Sequence, residues 1–189
     1  MSEGFHVHGP HDHEVEHKAH SGDPMAARVA VMTAILATIG ALISYQGGAT
    51  QNAALLYKNE AAIKKTEASD QWNFYQAKSN KQNLAELGAT LATGKASDDY
   101  RTEVERYKKE KEKIMADARA LEQASRDADT KSDESMHVHH RWAQSMALIQ
   151  IAIALAAITL LTRQKWLQWM AYGAGIGSLV IAALAFAHI

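Results

Sequence analysis

Apolar and charged positions are segregated along this chain rather than interleaved. Residues 29–57, 142–162 and 166–189 contain no Asp, Glu, Lys or Arg. A helix crossing a bilayer needs about 20 mostly apolar residues, and each run supplies that length. Between the first two runs lies a polar excursion, residues 58–141, with 16 basic and 16 acidic side chains. The pattern predicts an all-α membrane protein of three transmembrane helices with a long antiparallel coiled-coil hairpin between the first and second. It divides the chain into a His-rich tail (1–24), a first span (25–50), the hairpin (51–141), a second span (142–162) and a third (166–187). The tail lacks the short basic start of a signal peptide, and the apolar run after it is too long for one, so the first span is expected to remain as an anchor.

Helix formers dominate the excursion, and both prolines, Pro10 and Pro24, precede it. The one cluster of turn residues in it lies near 94–98. There Gly94 suits a helix C-terminus, and Ser97 or Asp98 suits the next N-cap. Beyond that turn, Tyr100, Val104, Tyr107, Lys111, Ile114, Ala118, Leu121, Ser125, Ala128, Ser132 and Ser135 alternate at spacings of four and three. This is the coiled-coil period, with Lys111 its one charged member. Before the turn, Leu56, Ile63, Asp70, Ala77, Leu84 and Leu91 recur every seven residues. Folding the two rows together predicts that Leu91 meets Tyr100, Leu84 meets Tyr107 and Ile63 meets Ala128.

Composition narrows the function. A net charge of −1 offers no field for nucleic acid, and the absence of cysteine removes disulfides, thiolate zinc sites and iron–sulfur clusters. The charge-free runs contain none of the Asp, Glu, Lys or Arg residues that proton relays and ion pathways usually use. Phosphate-binding, dinucleotide-binding, kinase, HExxH and GxSxG patterns are missing, so no enzyme chemistry is expected. The connector Arg163–Gln164–Lys165 and Arg28 place the N-terminus in the cytoplasm and the hairpin in the periplasm under the positive-inside rule.

Three groups stand out as candidate sites. His6, His8, His11, His13, His17 and His20 crowd the tail among acids, and imidazoles in such a tract can take zinc, nickel or copper. Asp133, His137 and His140 stand at i, i+4 and i+7, a two-His, one-carboxylate spacing. The competing expectation there is that these histidines and Trp142 act as amphipathic anchors at the membrane interface. Third, Asp70, Asn73 and Asn80 occupy the first seam where apolar residues would pack better, and Trp72 and Tyr75 line an adjacent face. Polar seam residues can fix register and oligomeric state, which makes this stretch a candidate subunit contact. Gly173 and Gly177 form a GxxxG pair in the third span that would allow close approach of another helix.

The stretch ASDQWNFYQAKS resembles the central SDQW-x-x-YQAKS motif of a family of small bacterial inner-membrane proteins known as a domain of unknown function. Ser69, Asp70, Gln71, Trp72, Tyr75, Gln76, Ala77, Lys78 and Ser79 carry the likeness. The resemblance implies one N-terminal span, two closing spans and a bacterial membrane location, and it implies no activity. The reading drawn from the residues is a non-enzymatic homo-oligomeric scaffold. The alternatives are a metal-binding accessory or sensor protein using the tail, and an accessory subunit of a larger membrane complex.

Overall fold

In a computed structural model that describes residues 24–187, the chain is three helices with no strand among those residues. They are α1 (Pro24–Leu91), α2 (Lys95–Thr162) and α3 (Lys165–Phe186). Pro24 opens α1, where its missing N–H leaves no helical hydrogen bond unmade, and no proline follows to break the next 67 residues. All three helices are long and apolar enough to cross a membrane. Their most apolar windows are 28%, 33% and 22% buried within the chain, so most of each apolar surface faces outward. The described residues divide into two compact units, one of residues 24–52 with 135–187, the other of residues 53–134.

The first unit is a bundle of the three apolar segments. Leu36, Ile43, Trp142, Ile149, Ala152 and Ala185 form its main core, and Ala26, Val29, Ala156, Leu160 and Ala171 a second. Small residues set the helix spacing. A Cβ on Gly40 would sit 3.3 Å from Ile149, and one on Gly175 would sit 3.1 Å from Leu36. Without the hydrophobic drive available in water, such close backbone approach is the main source of packing between helices in lipid. Arg163 makes the tight turn into α3 with φ 57°, and its N–H donates to the Thr159 carbonyl. Trp166 and Trp169 stay exposed at the start of α3, where the aromatic belt of a membrane protein is found.

Trp142 departs from expectation. It is 8% exposed, packed in the main core with its Cβ facing Gly47, so it is a core residue rather than an interfacial anchor.

The second unit pairs the distal part of α1 with the proximal part of α2, antiparallel. The turn falls at residues 92–94, slightly before its expected place, and Lys95 already belongs to α2. Gly94 takes φ 60°, a conformation that costs other L residues about 1–2 kcal/mol, so the reversal settles there. Ser97 is not the N-cap. Its N–H donates to the Gly94 carbonyl, while its hydroxyl reaches across to the Ala89 carbonyl at 2.9 Å.

Of the expected α2 row, Val104, Ile114, Ala118, Ala128 and Ser132 are buried, whereas Tyr100 is exposed with its ring against Gly88, and Leu91, its expected partner, is exposed too. The α1 seam is different. Leu56, Ile63, Asp70, Ala77, Leu84 and Leu91 are all exposed, and Ala54, Ala61, Ala68, Gln82 and Ala85 are buried in their place. Ser132 donates to the Ala54 carbonyl and Ser125 to the Ala61 carbonyl, each at 2.8 Å. Those bonds require the two backbones to lie close together. Alanine opposite serine permits that approach, whereas a row of leucines would hold the helices apart.

Candidate functional site

Along α1 in the second unit, two rows of side chains follow the same alternation of three and four residues. The inner row is Ala54, Tyr57, Ala61, Lys64, Ala68, Gln71, Tyr75, Lys78, Gln82, Ala85 and Ala89, each buried or half-buried. The outer row lies two positions further on at every step. Two residues turn a helix by about 200°, so the rows stand on opposite sides of α1. The apolar members of the outer row are Leu56, Ile63, Ala77, Leu84, Leu87 and Leu91, and its polar members are Asn59, Thr66, Asp70, Asn73 and Asn80. All eleven are exposed.

This geometry sorts the residues singled out by sequence. Asp70, Asn73 and Asn80 belong to the open row. Trp72 and Tyr75 turn the other way, toward α2. Trp72 Nε1 donates to Glu122 at 2.8 Å and its ring meets Tyr75 edge-on, with centroids 5.6 Å apart. Lys111, the charged member of the α2 seam, lies with its ammonium 5.1 Å from the Tyr75 ring centroid and donates to Ser79 at 2.9 Å. Lys78 donates to Glu110 at 2.6 Å while packing over Phe74 and Tyr107. That hydrogen bond, reinforced by the charges of Lys78, Arg106 and Lys81, holds the Glu110 carboxyl below the usual carboxylate range. Lys58 is raised by its bond to Asp129 on α2.

Beside the seam runs an open groove of about 810 Å³, lined among others by Lys58, Lys65, Trp72, Asn73, Gln76 and Arg126. Its carboxylates, Glu122 and Asp129, are engaged by Trp72 and Lys58.

The histidines separate as well. Half-buried His139 donates from Nδ1 to the Gly47 carbonyl at 2.9 Å, which ties α2 to α1 within the bundle. His137 and His140 are exposed, as is Asp133 in the second unit. No group of three or more metal-ligating side chains gathers among the described residues. His6, His8, His11, His13, His17 and His20 lie outside the described residues. Of the glycine pair in α3, Gly173 faces open space and Gly177 makes ordinary contact with Leu148 at 3.7 Å from its ideal Cβ.

A buried pair escaped the sequence reading. Ser145 donates to the Ser178 carbonyl at 2.8 Å, and Ser178 donates to the Ser145 carbonyl at 2.7 Å. Both side chains are 0% exposed. The available signal was a serine inside each of two spans, where a hydroxyl must find a partner.

A family model described as a domain of unknown function (DUF4337) matches residues 25–188. No curated protein and no solved structure matches the chain.

Proposed function

The chain belongs to the DUF4337 family of unknown function, and from that premise we propose that it is a non-enzymatic, homo-oligomeric scaffold of the bacterial inner membrane. Its three apolar helices anchor it, and the α1–α2 pair acts as an antiparallel coiled-coil hairpin that stands in the periplasm and self-associates. The N-terminus and the Arg163–Gln164–Lys165 connector lie in the cytoplasm, on the positive side.

The observation that carries this reading is the open row of α1. A helix with heptad rows on opposite sides, one of them already filled by α2, is built to lie between two partners. Five of the exposed positions are Leu or Ile, and a lone hairpin in water would leave them wet. The α2 surface has the contrary character. Its exposed positions include Arg101, Glu105, Lys109, Glu112, Lys113 and Arg119, which keep that side solvated.

Native mass spectrometry of untagged protein released from mild detergent tests the proposal. A discrete homo-oligomer is expected. A strictly monomeric protein in several mild detergents would sink the scaffold reading, and a stoichiometric foreign subunit would replace it with an accessory role.

A further inference from the structure

We propose that two copies meet in parallel and in register along the open row of α1, each residue of the row facing its own counterpart across a two-fold axis. This rests on the self-association proposed above and names the surface and geometry it uses.

The occupant follows from the row's chemistry. Its large apolar members, Leu56, Ile63, Leu84, Leu87 and Leu91, are 55–76% exposed and concentrate toward the two ends of the row. Between them lie Asn73 and Asn80, both exposed. An Asn side chain carries donors and an acceptor on one amide. Two identical Asn residues facing one another therefore satisfy each other, whereas a uniformly apolar partner would strand both. A buried Asn pair is also a known determinant of register between helices.

The distribution of charge outside Asp70, whose own counterpart repels it, points the same way. Asp70 is the one charged member of the row, while the exposed side of α2 is dense with both signs. A second copy laid on α1 buries the row and leaves the charged faces of both α2 segments in water.

Direction follows from the shared bilayer. Copies in one membrane are related by rotation about its normal, which keeps every residue at the height of its counterpart. Such copies are parallel, and identical positions face each other. Leu87 then meets Leu87, and Asn80 meets Asn80.

The chain has no cysteine, so an introduced one reports a single position. In full-length protein in mild detergent, Leu87→Cys and Asn80→Cys are each expected to form disulfide-linked dimers readily under gentle oxidation. Facing positions in a parallel pair come within the 4.4–6.8 Å Cα separation, roughly, that a disulfide spans. Lys113→Cys, on the exposed side of α2, is expected to cross-link many-fold more slowly.

Native masses of the same samples separate the possible failures. An oligomer whose Leu87→Cys and Asn80→Cys forms link no faster than Lys113→Cys overturns the interface and leaves self-association standing. Preferential linking between an Ile63→Cys chain and a Leu84→Cys chain means the copies run antiparallel, and it also overturns the inference. A monomer removes both readings.

Discussion

Ser145 on α2 and Ser178 on α3 bind each other's backbone, each hydroxyl donating to the other's carbonyl, with the two oxygens 2.9 Å apart. Both residues are fully buried, so neither hydroxyl has water as an alternative. The pair fixes the rotation of α3 against α2 at a level where the surrounding core is otherwise apolar.

Ser145→Ala removes one of the two cross-helix donors and leaves Ser178 bonded to the residue 145 carbonyl. The expected cost is about 1 kcal/mol, the scale of an interhelical hydrogen bond in lipid. Ser145→Ala with Ser178→Ala should not cost simply the two single changes added, because the hydroxyl oxygens lie 2.9 Å apart and each has one proton to share between the facing carbonyl and the facing oxygen. Equilibrium unfolding of the four proteins in mixed micelles measures this, and strict additivity would mean that the two act independently.

Gln82 occupies the buried inner row of α1. Its amide nitrogen donates to Glu86 at 2.8 Å, and its buried oxygen has no protein partner. Gln82→Leu keeps the volume close, removes the unmet acceptor and places a good helix former in the seam. Thermal unfolding of the full chain by circular dichroism should show stabilisation of about 1 kcal/mol. A loss of stability would mean that the amide is needed to hold the pairing in register.

Much of the architecture was legible because it rests on signals with long range. Charge-free runs become apolar helices whatever their neighbours, and the α2 seam has only one row at the right spacing. α1 defeated the same method because it has two rows. Hydropathy ranks Leu56, Ile63, Leu84 and Leu91 above Ala54, Ala61 and Ala68, and so favours the row that the structure leaves open. The alanines take the seam because they let Ser125 and Ser132 reach the facing carbonyls, a cross-chain geometry that periodicity does not contain. The same limit hid Trp142, which is buried among residues of other helices, and Ser145, whose partner is 33 residues away.

Glu110 gives the helix pair an acid-sensitive contact. Its hydrogen bond from Lys78 holds its carboxyl below the usual range, and Glu105 is lowered in the same way by Lys108. A carboxyl depressed by folding contributes stability that is present above its unfolded pKa and lost as pH falls through its folded value. The melting midpoint should therefore hold steady from neutral pH down to the ordinary carboxylate range and decline below it. Glu110→Gln should lower the midpoint slightly at neutral pH and make the acid decline shallower, since both groups are solvent-accessible and screened. An unchanged acid decline in Glu110→Gln would assign it to other carboxylates.

Asp70 is the test of direction along the open row. In a parallel, in-register pair it faces its own copy, and two like charges there oppose association. Asp70→Asn removes that repulsion and supplies an amide that can pair with its counterpart, as Asn73 and Asn80 do in the same arrangement. Dissociation in detergent, followed by native mass spectrometry over a dilution series, should shift to concentrations several-fold lower for Asp70→Asn. In an antiparallel pair centred on the row, residue 70 would face Ala77, and the substitution would leave the dilution curve nearly unmoved. Asp70→Lys restores a like-charge meeting in the parallel pair and should return the curve to the wild-type range or beyond it. Tightening by Asn without tightening by Lys therefore reports residue 70 meeting itself, and not merely the loss of an exposed acid.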